Sequence, residues 1–326
     1  MIGFPFNAYL LAFLGAFFAT LATLPLWRRW CVRVGHVDDP GHRKIHQAPV
    51  ALAGGLAVMT GMVIPILLGL AVVKFRWLSP PTAGPLGYGW DHRSMKLVMI
   101  LVGAIGMVVL GWWDDKHELS PAWKFTGQFA IAVLVAAAGV RITLFVPSIL
   151  FSYAVTVLWI LTVTNAFNFM DNMNGLCAGL GVIGSACFAL VAMAHGHYLV
   201  ALLALLACGA LLGFLPYNFP AASAFLGDAG SHLVGYLLAV LAILPHFYTA
   251  QSPHKLAVFS PLLMLAVPLG DLAWVVLLRW RLGQPFYVGD TNHLSHRLVR
   301  RGWSKSTAVL CIWLLAAALG ALAFVI

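Results

Sequence analysis

The chain has 326 residues, 62% of them hydrophobic and only 9% charged, with a formal net charge of +9. Its apolar runs are long and unbroken rather than alternating, which excludes a soluble domain and a membrane β-barrel and leaves an all-α, polytopic membrane protein. The positive balance requires no nucleic-acid partner, because most of it follows the orientation bias of membrane loops.

Hydropathy predicts ten spans within a single integral-membrane domain, residues 1–326. They are Phe4–Leu26, Val50–Val73, Leu97–Trp113, Phe125–Val140, Ile149–Phe167, Leu176–Ala194, Tyr198–Leu215, His232–Phe247, Leu256–Leu278 and Ala308–Val325. The first has no basic leader or small-residue cleavage site and reads as a retained span. The five cysteines, Cys31, Cys177, Cys187, Cys208 and Cys311, are scattered without C-x-x-C spacing and read as packing residues.

An even number of spans puts both termini on one side. With the termini outside, the inner segments hold Arg28, Arg29, Arg33, Arg43, Lys44, Lys116, Lys124, Arg279, Arg281, Arg297, Arg300, Arg301 and Lys305. The outer segments hold only Lys74, Arg76, Arg93, Lys96, Arg141 and Lys255, so the basic residues favour this orientation. Carboxylates do not obey that rule, yet all but Asp91 lie on the inner side, counting Asp271 near the inner end of its span. This concentration points to a site at the cytoplasmic membrane surface. A transporter or lipid flippase, the alternative of another class, would bury ionisable groups near the midplane. The outer Ser79–Gly89 run, rich in Pro and Gly, reads as a loop, and the His195/His197 pair reads as a solvated turn.

The first inner loop carries Arg43, Lys44 and His46 between a Pro-Gly turn and Gly54–Gly55; these cations hold a phosphate or simply fix the orientation. The second has Asp114 and Asp115 at the end of a span. Adjacent carboxylates repel, and Lys116 or Lys124 can compensate them. One carboxylate suits a base or phosphate positioner, and the other suits metal support. The elbow TNAFNFMDNMNGL repeats Asn165, Asn168, Asp171 and Asn174 every three residues. It forms either one polar helical stripe fit for a cation or phosphate, or a capped helix end stopped by Gly175. Further on, Asp228 stands in a G-D-A-G-S turn ahead of a helix, where backbone amides can face an anion and the carboxylate suits Mg²⁺. The last inner loop offers Asp290, His293, His296 and Arg297, with the two histidines at i and i+3 able to bind phosphate together. Without a thiolate nearby, the oxygen-rich surroundings favour magnesium over zinc.

Together and in this order, these motifs resemble those of the polyprenyl-phosphate N-acetylhexosamine-1-phosphate transferases, the integral-membrane glycosyltransferase family 4. The segments concerned are DDPGHRKIHQAPVALAGG, WWDDKHELSPAWKFTGQ, NAFNFMDNMNGL, FLGDAGS and GDTNHLSHRL. The resemblance implies transfer of a sugar-1-phosphate from a UDP-linked N-acetylhexosamine to undecaprenyl or another polyprenyl phosphate, with release of UMP. It implies a multi-pass protein of the bacterial inner membrane whose site faces the cytoplasm, acting at the first membrane step of an envelope glycan, and compatible with a homodimer. Carried over by motif, Asn168 and Asp228 bind Mg²⁺, with Mn²⁺ as the alternative ion. Asp114, Asp115 and Asp171 are the catalytic candidates. Arg43, Lys44, His46, Lys124, Asn165, Asn174, His293, His296 and Arg297 are the substrate-binding candidates. The chain departs from the family at Asn174, where a second carboxylate is usual, and at Ser295, where the earlier of two adjacent histidines often stands. The histidine loop resembles the N-acetylglucosamine-1-phosphate branch more than the phospho-N-acetylmuramoyl-pentapeptide branch. A non-catalytic assembly subunit is the remaining expectation that these departures raise.

Overall fold

A computed structural model describes residues 3–39, 48–75, 80–143, 146–245, 258–285 and 290–325. Twelve helices are found among them: α1 (Phe6–Val34), α2 (Gly54–Lys74), α3 (Pro80–His117), α4 (Pro121–Ala137), α5 (Ile149–Met170), α6 (Leu176–Ala194), α7 (Tyr198–Phe214), α8 (Gly227–Ile243), α9 (Ser260–Met264), α10 (Ala266–Arg281), α11 (Leu294–Arg300) and α12 (Lys305–Leu322). Seven described helices are long and apolar enough to cross a membrane, and α8 is a shorter apolar helix. The chain is an all-α polytopic membrane protein. Its periphery is apolar, with Leu11, Phe18, Leu67, Leu68 and Leu314 all exposed, as expected of a surface that lipid covers.

Helix α8 is the axis of the bundle. Every residue in it except Asp228 is buried, the pattern of a helix enclosed on all sides. It packs against α2, α3, α5 and α6. The α3 contact depends on Gly111, where an added methyl would run into the Asp228 carbonyl. Small residues therefore bring the end of α3 directly onto the start of α8.

Three local findings differ from the sequence reading. The Pro/Gly-rich run expected to be a loop begins α3 at Pro80. Pro80 and Pro81 fall in the first turn, where the missing N–H groups have no helical partner to lose. The G-D-A-G-S segment is the first turn of α8 rather than a turn ahead of it. The expected ninth span is broken at Leu265 into α9 and α10, and Pro268 follows the break.

Two short strands, β1 (Val37–Asp38) and β2 (Val50–Ala51), pair antiparallel at the end of α1. The β2 end is tied to the start of α8: Phe225 N–H donates to the Ala51 carbonyl at 2.9 Å, and Gly54 N–H donates to the Phe225 carbonyl at 2.9 Å. These bonds satisfy backbone groups that would otherwise be buried unpaired. They also place the segment that follows α1 beside the start of α8.

Candidate active site

The end of α3 supplies Asp114 and Asp115. The helix stops at His117, Glu118 takes a positive φ of 47°, and the chain re-enters α4 at once through Ser120 and Pro121. Asp114 Oδ1 stabilises this reversal by accepting the Leu119 amide at 2.9 Å. The reversal lays Lys124 back over Asp114, with Nζ 2.7 Å from Asp114 Oδ2.

The same ammonium lies 2.8 Å from Asp228 Oδ2 and 3.3 Å from Asn168 Oδ1. Asn168 is fixed by donating its Nδ2 to Asp228 Oδ1 at 2.6 Å and to Ser231 Oγ at 2.9 Å, which turns its oxygen toward Lys124. Four helices, α3, α4, α5 and α8, thus deliver two carboxylates, an amide oxygen and an ammonium to one point. With Asp114 and Asp228 ionised and Lys124 protonated, this group carries one net negative charge. A hard divalent cation at these oxygens would reverse that sign and match a diphosphate.

The donor set of Asp228 and Asn168 Oδ1, with Asp114 beside them, fits the oxygen ligation of Mg²⁺. His232 also has a ring nitrogen within 4.8 Å of the Asp114 and Asp228 oxygens. Its hydrogen bonds argue against a ligand role. Asn165 Nδ2 donates to Gln128 Oε1 at 2.7 Å, so the Gln128 amide presents N–H to His232 Nε2 at 3.2 Å. Nε2 is then the acceptor and Nδ1 carries the proton, buried without a partner among the described residues. His232 is thereby a donor beside the cluster. Asn165 acts through Gln128 and does not join the ammonium.

Asp115 and Asp171 make different contacts from Asp114. Asp115 accepts the amides of Asp228 and Ala229 at 2.8 and 3.2 Å, and Asp171 accepts that of Gly227. Two carboxylates therefore occupy the first amides of α8, the donors that sequence reasoning left open for a phosphate. Gly227 permits this approach, with φ at 71° and Asp115 Oδ2 2.7 Å from where a Cβ would stand. Burial, then the charges of Asp228 and Asp115, push the Asp171 carboxyl well above its ordinary value. His36, buried at the end of α1, faces Asp115 from 4.0 Å and lies against the Trp112 ring. Burial, then Lys116, hold His36 below the usual histidine range.

The histidine loop forms a second group. His293 Nδ1 is 2.6 Å from Asp271 Oδ2, and the Phe169 ring packs edge-on to the imidazole. Ser295, fully buried, donates to Asn172 Oδ1 at 2.6 Å, joining the loop to the α5–α6 elbow. His296 lies 6.4 Å from His293, centroid to centroid. Burial and then the neighbouring His293 and Arg300 lower its pKa. Arg297 stacks over Trp274 at 4.7 Å. Asn174 donates to the Pro220 carbonyl at 3.2 Å and so braces the elbow. Arg43, Lys44 and His46 lie outside the described residues.

Sequence reasoning missed Gln128, His232, Asn172 and the side chain of Ser231. Three of them carried a usable signal: Gln128 is four residues after Lys124, and Ser231 and His232 are three and four after Asp228, so each shares its neighbour's helical face. Asn172 had none, since its partner is 123 positions away.

The sequence profile of glycosyl transferase family 4 matches residues 97–246, which include Asp114, Lys124, Asn168 and Asp228. The probable undecaprenyl-phosphate N-acetylglucosaminyl 1-phosphate transferase of Bacillus subtilis (strain 168) is 33% identical over 312 residues, covering 93% of this chain and 81% of that protein. The decaprenyl-phosphate N-acetylglucosaminephosphotransferase of Mycobacterium tuberculosis (strain ATCC 25618 / H37Rv) is 31% identical over 90% of this chain and 76% of its own. The undecaprenyl-phosphate alpha-N-acetylglucosaminyl 1-phosphate transferase of Escherichia coli (strain K12) is 26% identical over 90% and 77%. A likeness of this extent to transferases of one kind, over nearly the whole chain, means that the protein belongs to glycosyl transferase family 4.

Proposed function

We propose that the protein transfers N-acetylglucosamine 1-phosphate from UDP-N-acetylglucosamine to undecaprenyl phosphate, releasing UMP, at the cytoplasmic face of the bacterial inner membrane. A phosphate oxygen of the lipid attacks the sugar-bearing phosphorus of the nucleotide. A new P–O–P linkage forms, the bond to the UMP phosphate breaks, and UMP leaves with that bond's electron pair. The observation carrying this reading is the meeting of Asp114, Lys124, Asn168 and Asp228 at one ammonium.

The residues divide the work as phosphoryl transfer requires. Asp228 and Asn168 would hold Mg²⁺, and Asp114 orients the attacking lipid phosphate and takes any proton it carries. Lys124 opposes the charge that builds on the diphosphate. When bound, Mg²⁺ would supply charge neutralisation for the diphosphate. Asp115 and Asp171 act by fixing the start of α8, and through it the Asp228 carboxylate. His293, His296 and Arg297 lie on the loop that meets the sugar or phosphate. Arg43, Lys44 and His46 complete the phosphate contacts from the first inner loop. The full topology is ten spans with both termini outside, which the basic-residue bias supports.

The test is product formation by the purified protein with Mg²⁺, radiolabelled UDP-N-acetylglucosamine and undecaprenyl phosphate. Label moving to the lipid fraction only when both substrates are present supports the transferase. Transfer from UDP-N-acetylmuramoyl-pentapeptide instead would move the protein to the other branch. Lipid-independent uptake of label into vesicles would favour a transporter.

A further inference from the structure

We propose that the end of the bundle opposite the carboxylate cluster holds a second, non-catalytic site for a phosphate-bearing anion, built around Arg93, Lys96 and Arg141. A cavity of about 250 Å³ is lined there by these three residues together with His92, Gly139 and His197. Its wall is formed by the far part of α3, the far ends of α4 and α8, and the start of α7. Lys96 is eighteen residues from Asp114 on α3, about 27 Å along the axis. Gly139 follows the last turn of α4, and Ile243, also in the wall, is the last residue of α8, which begins beside Asp228.

Three observations point to an anion. First, the lining contains three basic residues and, among the described residues, no carboxylate. Second, Arg141 is held in place and Lys96 lies close to the same wall. Arg141 Cζ stands 5.3 Å over the Tyr153 ring, and the next residue is clamped at both backbone groups: Ile142 N–H donates to Thr156 Oγ1 at 2.9 Å, and Ser152 Oγ donates to the Ile142 carbonyl at 2.7 Å. Lys96 lies over Gly139, where an added methyl would stand 3.2 Å from Cε and 3.6 Å from Nζ. A fixed guanidinium and a nearby ammonium are suited to phosphate oxygens and repel each other when no anion intervenes.

Third, orientation bias does not account for these charges. Arg28, Arg29 and Arg33 at the end of α1 are explained by the inward preference of basic residues. On the topology proposed above, on which this point rests, Arg93, Lys96 and Arg141 sit on the side where that preference works against them, and they are half of the six cations found there. Their gathering into one cavity therefore needs a local cause. A wall of this volume and an apolar flank of Leu97, Ile100 and Val140 fit a lipid phosphodiester headgroup or a free phosphate, and are small for a nucleotide-sugar.

The test compares the full-length wild-type protein with the triple variant Arg93→Gln/Lys96→Gln/Arg141→Gln and the single variant Lys96→Gln. One arm measures retention of phosphatidylglycerol by native mass spectrometry, from nanodiscs of phosphatidylglycerol and phosphatidylcholine. The other measures the shift in Tm on adding inorganic phosphate in detergent. The wild type should retain phosphatidylglycerol or respond to phosphate at least about tenfold more strongly than the triple variant, with Lys96→Gln intermediate. Loss in the first arm alone assigns a lipid headgroup, loss in the second alone assigns soluble phosphate, and loss in both assigns their shared chemistry. If the triple variant does not fold, Lys96→Gln carries the same comparison. Wild-type behaviour of a folded variant in both arms overturns the proposal.

Discussion

His293 and Asp271 face each other at 2.6 Å, Nδ1 to Oδ2, while the other oxygen of Asp271 accepts the Leu294 amide at the same distance. An ionised carboxylate only accepts, so the Nδ1 proton of His293 is fixed on the Asp271 side and Nε2 is left for other partners. Asp271 thus sets both the tautomer of the histidine and the start of α11. Replacing it with Asn removes a charge-assisted bond of about 1.5–3 kcal/mol. Asp271→Asn should raise the KM for the UDP-sugar about tenfold or more, with a smaller effect on kcat, as measured by steady-state UMP release.

Asp114 and Asp115 are adjacent in sequence and should separate cleanly in experiment. Asp114 touches Lys124 directly, whereas Asp115 caps α8. Asp114→Asn should abolish turnover with little change in Tm. Asp115→Ala should cost about 1–2 kcal/mol of stability, the worth of a strong helix cap, and Asp115→Asn should recover part of it. Thermal unfolding of the three variants in one detergent checks this.

Lys124 holds two carboxylates and an amide oxygen together, and its removal leaves Asp114 and Asp228 repelling each other. Because both Lys124 and Asp228 are partly exposed, Lys124→Met should cost only about 1–3 kcal/mol. Mg²⁺ should then raise the Tm of Lys124→Met more than that of the wild type, since no ammonium competes for the same oxygens. A Tm titration with MgCl₂ measures the difference without requiring activity.

The Arg279–Asp290 pair should leave a signature in pH. Burial acts to raise the Asp290 carboxyl, but the hydrogen bonds from Arg279 and the Asn292 amide, with the Arg279 charge, outweigh it and hold the group below its ordinary value of 3.8. A carboxyl depressed on folding stabilises fully above its unfolded pKa and loses that contribution as pH falls through the folded one. The Tm gap between wild type and Asp290→Asn should stay flat down to about pH 5 and close only below the ordinary carboxylate value.

Much of this architecture is legible in the chain because its signals are local. Long apolar runs mark helices, and the spacing of Asn168 and Asp171 marks a polar helix end. What escapes is pairing over distance. Nothing near Asp115 announces that it will cap a helix 113 positions later, or that Asp171 will share the task. The start of α8 differs from the sequence reading for a related reason: Gly227 does take a turn conformation, with φ at 71°, but Gly230 is a glycine of the helix itself, required by its close packing on Leu226 and Gly55. Asn174 and Ser295, where a carboxylate and a histidine are usual, have partners that brace the elbow and the loop.

The central claim is that Asp228 and Asn168 hold the metal for a diphosphate which Asp114 and Lys124 also address. The most direct measurement is Mg²⁺-dependent UMP release by the purified wild type beside Asp228→Asn, with Tm recorded for both. The account predicts that Asp228→Asn remains folded and loses at least about 100-fold in turnover. Wild-type turnover by a folded Asp228→Asn protein would contradict it.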